Sequence, residues 1–404
     1  MSDSTSMPSC AHDRALPCAD RQDEALPRAG RQDEDADRIR SEWAASFVRS
    51  TLGHWLTASA AGTGLFNPFL DRAWTARAVD RRTLVSQSRL IYNFSRGFDI
   101  TGESRYADAA ALGIEALDRH FHRGNGAYRW SVLSDGSPGD DSADSYGHAF
   151  VILALSSAAH IFAGRPPAER ALEAWRSVRS NLSDAHGGLI WRMDAQPDRS
   201  QNPLMHSFEA LMALHAVDPT GFARAEAERL LAFMHTLHDF SAGRLIENFH
   251  ADWSPLPWQE GGALNLGHAL EWAFLLSEWH GITGDSDTLA LGERFLETGL
   301  AWAVDGGGVR ESCDSCGGRV VRTSGLWQQC EAIRAVHRYM RRHGRDDLGG
   351  TLDRLVNYYR CNFVDPQYGG AFAGPAGPDG PMSMHKGDDW KLDYHTVNMC
   401  IELI

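Results

Sequence analysis

The stretch LGHALEWAFLLSEWHGI (266–282), followed by TLALGERFLETGLAWAV (288–304) and DGGGVRES (305–312), contains the unit from which the chain is built. The first segment is apolar almost all round, so it predicts a helix that is buried on every side. The second segment has apolar residues on one face only and predicts a helix with a solvent-exposed side. A glycine turn and a short extended piece end the unit. We therefore expect a hairpin of one inner and one outer helix.

This unit recurs along the chain. Its glycine turns lie 62, 61, 56, 64 and 62 residues apart, counted between Gly64, Gly126, Gly187, Gly243, Gly307 and Gly369. A fixed period of this length is typical of a repeated supersecondary unit. Six hairpins could stack as an open solenoid or close into a ring. Closure is favoured because the last segment, YHTVNMCIELI (394–404), is apolar to its end and an open array needs polar caps. The pattern predicts an all-α (α/α)6 barrel with short β pieces in the connecting loops.

One polar residue lies at an equivalent place on each predicted inner helix. These residues are 59, 58, 62, 63 and 64 positions apart, and they are Arg89, His148, His206, His268, Glu331 and His395. Equivalent positions of a closed ring converge on its axis. Any one buried histidine is usually a satisfied structural residue, but six polar groups in one place are costly unless they serve a site. The register therefore predicts a functional site inside the ring.

The first 38 residues differ from the rest of the chain. The segment RALPCADRQDEALPRAGRQDEDADR (14–38) is dense in mixed charge and almost free of large apolar side chains. Such a composition cannot bury enough surface to offset the entropy of ordering. We expect residues 1–38 to be a disordered tail and residues 39–404 to form a single catalytic domain.

Composition narrows the class of partner and the compartment. The formal charge is −14, with no visible cluster of basic residues, which argues against nucleic acid as a partner. No run of 18 apolar residues is present and the start does not resemble a signal peptide, so we expect no membrane association. Seven scattered cysteines, an odd number, indicate free thiols and a cytoplasmic location. The C-x-x-C of Cys313 and Cys316 lacks a second pair, so a metal or redox role is not expected. The composition leaves the oligomeric state open, a homodimer included.

The candidate residues suit proton transfer. Imidazole acts as acid or base near neutral pH, and Glu209 and Glu271 follow His206 and His268 by three residues, which places each pair on one helix face. Arg89 could stabilise negative charge on an oxygen. Aldose–ketose isomerisation and 2-epimerisation both need such groups, because each reaction removes a proton from the carbon next to a carbonyl group and later returns one.

Other functional classes fit less well. The chain has no H-E-x-x-H, no paired C-x-x-C and no phosphate loop, so zinc and nucleotide sites are not indicated. Glycoside hydrolysis needs two carboxylates beside the scissile bond, whereas this set is rich in histidine. A sugar-binding module without catalysis is the remaining alternative. Aromatic and amide side chains that could line a sugar pocket are Tyr92, Asn202, Trp253, Trp327 and Trp390.

Seven blocks of the sequence resemble the N-acylglucosamine 2-epimerase superfamily, and especially its D-mannose and sulfoquinovose isomerase branch. They are RLIYNFS (89–95), SYGHAFVILA (145–154), NPLMHSFEAL (202–211), ENFHADWSPLP (247–257), LGHALEWAFLL (266–276), WQQCEAIRA (327–335) and YHTVNMCIE (394–402). The similarity runs from about residue 45 to the C-terminus. It implies an (α/α)6 barrel and chemistry without a metal or other cofactor.

The resemblance also implies roles for individual residues. His268 and His395 would be the general acid/base pair, and His206 would assist ring opening or hold the anomeric end of the sugar. Arg89 would bind the substrate oxygens near C1 and C2. Glu209 and Glu271 would position the sugar and the histidines. Glu331 and Trp327 are further candidates for the substrate site.

The expected reaction is the interconversion of D-mannose and D-fructose through a cis-enediolate. Two alternatives stay open at this point. The same histidines could carry out 2-epimerisation of an N-acylhexosamine or of a cellobiose-type disaccharide. A sulfonated sugar would need extra basic residues, and Lys386 and Lys391 lie close to the last helix.

Overall fold

The structure is a computed structural model that describes residues 31–404 except 61, 63, 163–165, 193–198, 315–316, 322 and 375–383. Twelve α-helices occur in this described part. They are α1 (Arg31–Ser59), α2 (Leu84–Thr101), α3 (Ser104–Ala116), α4 (Ser145–Ala158), α5 (Pro166–Asn181), α6 (Gln201–His215), α7 (Phe222–Met234), α8 (Leu266–Thr283), α9 (Ser286–Ala303), α10 (Leu326–His343), α11 (Gly349–Asn362) and α12 (Tyr394–Leu403).

The helices form the predicted (α/α)6 barrel. The even-numbered helices pack side by side as an inner ring, and the odd-numbered helices cover them from outside. The alternation follows from the sequence: α8 is buried at nearly every position, whereas α3 and α7 bury one face. One continuous hydrophobic core runs through both rings.

The ring closes between the two ends of the chain. The inner helix α12 packs against α2 and α10, and the hydroxyl of Tyr92 on α2 donates to Oδ1 of Asn398 on α12 at 2.6 Å. The outer helix that covers α12 is α1, whose Trp55 donates its indole N–H to Asp393 at 2.8 Å. Five pairs are therefore consecutive hairpins, and the sixth joins the first described helix to the last.

The six marker glycines explain the period of the repeat. All of them have positive φ, between 70° and 98°, a conformation that other residues adopt at a cost. Each also lies against an outer helix. A Cβ at Gly126 would lie 2.2 Å from the carbonyl oxygen of Glu173 on α5, and one at Gly64 would lie 2.1 Å from that of Leu112 on α3. The glycine turn thus lets each connection pass close to an outer helix backbone.

The strands are short, antiparallel and confined to the loops, as predicted. They are β1 (Arg81–Thr83), β2 (His122–Gly124), β3 (Ala127–Tyr128), β4 (Ser131–Leu133), β5 (Arg199–Ser200), β6 (Asn248–Phe249), β7 (Leu264–Asn265), β8 (Val304–Asp305), β9 (Gly308–Val309), β10 (Ser312–Cys313) and β11 (Val320–Val321). The pairs are β1–β4, β2–β3, β5–β6, β8–β9 and the three-stranded β7–β10–β11. Because β1, β5 and β7 run directly into α2, α6 and α8, these ribbons lie at the N-terminal ends of the inner helices.

The first helix begins inside the segment that was predicted to be a tail. Residues 31–38 belong to α1, which begins at Arg31, and Arg40 pairs with Asp37 and with Asp353 on α11. The predicted boundary at residue 39 lies eight residues after the start of this helix. Residues 1–30, the rest of the predicted tail, and Cys316 of the C-x-x-C lie outside the described residues.

None of the described helices combines the length and the apolar character that crossing a bilayer requires.

Candidate active site

A cavity of about 490 Å³ opens at the N-terminal ends of the inner helices. Seven of the residues predicted for the site line it: Arg89, Asn202, His206, His268, Trp327, Trp390 and His395. The wall also includes Glu247 and Lys391 from loops, Asn265 at the end of β7 and Tyr146 on α4. Helical register therefore brings side chains that are far apart in sequence to one place.

His268 is held by a carboxylate. Its Nδ1 lies 2.7 Å from Oε2 of Glu247, the residue before β6, which pairs with β5 at the start of α6. Gln201 also donates its amide N–H to Glu247, at 3.1 Å, while its oxygen accepts from Trp272. Burial opposes the charged form of Glu247, but the charge and hydrogen bond of His268 outweigh it, so the pKa of Glu247 lies below its usual value.

This contact sets the tautomer of His268. Nδ1 also lies 2.8 Å from the amide nitrogen of Gln201, but Glu247 is the charged partner and can only accept, so it favours the tautomer with the proton on Nδ1 and an available lone pair on Nε2. Nε2 has no hydrogen-bond partner among the described residues. Asn265 caps the N-terminus of α8 by accepting from the backbone N–H groups of Gly267 and His268, and so fixes the turn that carries the ring.

His395 on α12 is also held by a carboxylate, in the same way as His268. Its Nδ1 lies 2.7 Å from Oε1 of Glu331 on α10, and Arg334 donates to the second oxygen at 3.1 Å. Burial opposes ionisation of Glu331, but Arg334 and His395 overcome it and lower its pKa. Burial also lowers the pKa of His395, against the effect of Glu331. The ring is therefore neutral near pH 7, with Nε2 available.

Trp327 packs against both of these histidines. Its ring centroid lies 4.8 Å from that of His268 and 5.6 Å from that of His395. The Trp327 side chain also packs on Gly267, where an added Cβ would lie 2.6 Å from the indole. The indole thus spaces the two imidazoles and forms an apolar wall between them.

His206 lies deeper than the other two histidines. Its Nδ1 is 3.0 Å from Oε2 of Glu209, whose other oxygen accepts from the hydroxyl of Tyr394 at 2.5 Å. Burial lowers the pKa of His206 to about 4, although Glu209 acts in the opposite sense. Burial likewise opposes the charge on Glu209, but His206, Arg334 and Tyr394 keep its pKa below the usual value.

Arg89 supplies a fixed positive charge to the cavity. Its guanidinium donates to the carbonyl of Trp390 and to the hydroxyl of Tyr146, both at 2.8 Å, and lies 4.2 Å from the ring centroid of Phe150. The Nε atom has no hydrogen-bond partner within the described chain. A guanidinium that is fixed in this way can stabilise an oxyanion without reorganising.

Several predicted residues lie behind the cavity wall. Glu209 and Glu331 contact the histidines, and Glu271 is fully buried beneath them. Tyr92 packs on the ring of Tyr394 and bonds Asn398 at the closure. None of these four side chains lines the cavity, so the structure gives them no direct contact with a sugar there.

His148 departs from the register prediction. Its Nδ1 lies 2.7 Å from the carbonyl oxygen of Asp144, and its Nε2 accepts the backbone N–H of Tyr128 at 3.0 Å. Both nitrogens are thus used to tie β3 to α4. Burial lowers the pKa of His148 to about 4. This histidine is a structural residue and lies outside the cavity lining.

Within the described residues, two sets of side chains have ligand atoms close enough together to hold a cation. They are His206, Glu209 and Glu271, and Glu271, Glu331 and His395, with the donor atoms of each set within 4.8 Å of one another. Most of these potential ligand atoms already form hydrogen bonds within the protein, and Glu331 also accepts a hydrogen bond from Arg334. We therefore interpret both sets as hydrogen-bonded networks that orient the histidines.

The model of one protein family matches most of the chain. The N-acylglucosamine 2-epimerase (GlcNAc 2-epimerase) model covers residues 64–399. A D-mannose isomerase from Thermobifida fusca is 30% identical over 362 residues, which are 73% of this chain and 87% of that protein. A mannose-6-phosphate isomerase from Rhizobium meliloti is 27% identical over 294 residues, or 68% and 73% of the two chains.

A solved structure has the same fold. The cellobiose 2-epimerase from Spirochaeta thermophila superposes with a TM-score of 0.81 at 23% identity, over 92% of this chain and 96% of that one. The match of the family model, the barrel and the histidine-lined cavity agree with one another. The chain belongs to the N-acylglucosamine 2-epimerase family, and it is a sugar isomerase or epimerase.

Proposed function

We propose that the protein interconverts D-mannose and D-fructose through a cis-enediolate, without a metal ion. The observation that carries the proposal is the pair His268 and His395. Each has its Nδ1 held by a carboxylate and its Nε2 available, and both pack on Trp327 in one cavity. Two such imidazoles meet the need for one group that removes a proton and one that returns it.

The reaction can be written with these groups alone. The imidazole of one histidine takes the proton from C2 of the open-chain aldose, and the electron pair forms the C1–C2 double bond of the enediolate. The developing charge on the oxygens is stabilised by Arg89. The O2 hydroxyl gives up its proton and O1 takes one up, and return of a proton to C1 then forms the C2 carbonyl of the ketose. His206 is placed to act on the hydroxyl groups during ring opening, because it lines the deep part of the cavity.

The charges at the cavity support a neutral monosaccharide. Arg89 and Lys391 are the basic residues of the described lining, and Lys391 already donates to Asp393 at 2.9 Å and to the carbonyl of Lys386 at 2.8 Å. Lys386 is fully buried and paired with Asp365 at 2.9 Å. Asp388 and Glu247 add negative charge to the lining. A phosphate or sulfonate group would therefore meet few available donors.

A second candidate is 2-epimerisation of a disaccharide, which one observation favours. Trp390 lines the cavity and is 54% exposed, beside Trp130 at a centroid distance of 6.2 Å. An exposed indole at the mouth of a sugar cavity can stack on a second ring that extends outwards. In this reaction the enediolate would be reprotonated at C2 on the opposite face.

A panel of sugars distinguishes the candidates. D-mannose, D-fructose, N-acetyl-D-mannosamine, cellobiose and D-mannose 6-phosphate are incubated separately with the purified protein and followed by proton NMR. We expect fructose from mannose and mannose from fructose, with little conversion of the phosphorylated sugar. Conversion of cellobiose or N-acetyl-D-mannosamine with no change in the free hexoses would replace the proposal with 2-epimerisation.

A further inference from the structure

Glu271 occupies an unusual position beneath the cavity. Its side chain has no exposed surface, and neither carboxylate oxygen has a hydrogen-bond partner in the described part of the chain. The nearest nitrogen of His206 lies 3.9 Å from Oε1. Buried polar atoms without partners are rare, and a buried carboxylate without a partner is especially costly.

The neighbours of Glu271 make an ionised carboxylate there still less favourable. Its oxygens lie within 4.8 Å of donor atoms of His206 and Glu209 on one side and of Glu331 and His395 on the other. Three carboxyl groups thus share this region, and the closest arginine, Arg334, donates to Glu331. Carboxylates this close cannot all ionise without large mutual repulsion.

The hydrogen bonds indicate which of the three carboxyl groups is neutral. Glu209 accepts from Tyr394 and contacts His206, whereas Glu331 accepts from Arg334 and contacts His395. Both are stabilised as anions by these donors. Glu271 has no comparable donor, so a proton is bound most favourably at this residue.

We propose that Glu271 is a neutral carboxylic acid in the working protein, and that its neutrality lets Glu209 and Glu331 both keep the charge that orients His206 and His395. Burial, together with the negative charges of Glu331 and Glu209, outweighs the opposite effect of Arg334 and Arg89 and raises the pKa of Glu271 well above its usual value, which agrees with this state. Glu271 is a positioning residue in this account because it does not line the cavity. The catalytic consequence rests on the proposed role of His395.

Infrared spectroscopy tests the protonation state directly. The carbonyl stretch of a protonated carboxyl group is resolved from carboxylate bands, and the difference between wild type and Glu271→Gln at neutral pH isolates the contribution of this residue. Burial raises the pKa of Asp144 to about 7 as well, so its band is present in both spectra and cancels. We expect a lost protonated-carboxyl band in Glu271→Gln.

Kinetics test the positioning role. Glutamine and leucine are both neutral and Glu271 makes no hydrogen bond within the described residues, so Glu271→Gln and a folded Glu271→Leu should each retain kcat and its pH dependence within about tenfold of wild type. The exposed Glu260→Gln is the matched control, and it should behave as wild type.

Two results would overturn the inference. One is a carboxylate difference band instead of a protonated one. The other is a folded Glu271→Gln variant whose kcat falls by more than about 100-fold, because such a loss in a neutral side chain of the same size would require an ionised Glu271. The infrared result does not depend on the substrate, so it still decides the protonation state if the sugar panel rejects the proposed function. Glutamine also preserves packing, which keeps the test valid if the leucine variant fails to fold.

Discussion

The Nδ1 atom of His268 lies 2.7 Å from a carboxylate oxygen of Glu247. Glu247 comes from a loop ribbon and not from an inner helix, so the barrel alone does not place it. This contact favours the tautomer in which Nδ1 carries the proton and donates it in a hydrogen bond to Glu247. The unprotonated Nε2 is then available for proton transfer in the cavity. The neighbouring inner helices α10 and α12 build a matching pair, Glu331 with His395.

Replacing Glu247 tests this contact. Glu247→Gln removes the charge that holds the His268 tautomer, and we expect kcat to fall by roughly 10–100-fold while the fold is kept. Glu260→Gln, an exposed change on the same loop, is the control and should leave kcat unchanged. Equal activity of the two variants would show that the Glu247 carboxylate has no role in orienting His268.

The proposed mechanism divides the inner-helix histidines into proton-transfer groups, His268 and His395, and a structural residue, His148, and kinetics should separate the two kinds. His268→Gln and His395→Gln should each lower kcat by about 100-fold or more, because each removes a proton-transfer group. His148→Gln should keep kcat per folded molecule and lower the free energy of unfolding by about 1–3 kcal/mol, since it disturbs buried hydrogen bonds. A large loss of kcat in a folded His148→Gln protein would contradict this division.

Stability should depend on pH through the buried histidines. Burial lowers the pKa of His148 to about 4, whereas an unfolded histidine titrates near 6.5. The unfolded state therefore binds more protons between these values, and this residue should lower the free energy of unfolding by about 1.4 kcal/mol for each pH unit on acidification from 6.5 to 4. Denaturant unfolding from pH 7 to 4 measures the dependence. His148→Gln should show a shallower loss, and an identical slope would refute the assignment.

Removal of metal ions provides a separate test of the chemistry. The donor atoms that could hold a cation beneath the cavity are mostly engaged in hydrogen bonds with one another, with Tyr394 and with Arg334. We expect full activity after dialysis against a chelator. A large loss that is restored by a divalent cation would reject acid/base catalysis by the histidines alone.

Sequence periodicity was enough to predict the barrel, because the glycine turns and the buried inner helices recur at a fixed spacing. The same register located Arg89, His206, His268 and His395 at one cavity. It could not tell how deep each side chain lies. Glu271 is one helical turn beyond His268, so it shares its face but lies below the cavity floor.

Residues on loops were harder to predict. Glu247 has no periodic signal, although it begins the ENFHADWSPLP block (247–257). Its pairing with His268 depends on loop contacts: it precedes β6, which pairs with β5, and its backbone N–H donates to the carbonyl of Ala263 just before β7 and α8. His148 occupies the register position but is bound by the backbone of Tyr128, a contact made by a two-residue strand. The helical spacing of apolar residues does not predict two-residue strands in the connecting loops.

The central claim is that His268 and His395 move a proton between adjacent carbons, and solvent isotope incorporation tests it most directly. D-mannose is incubated with the protein in D2O, and the recovered fructose and mannose are examined by NMR and mass spectrometry. The account predicts that deuterium accumulates at C1 of fructose and C2 of mannose, and that both His268→Gln and His395→Gln slow its appearance. Fructose formed without deuterium after prolonged incubation would indicate hydride transfer and would contradict the account.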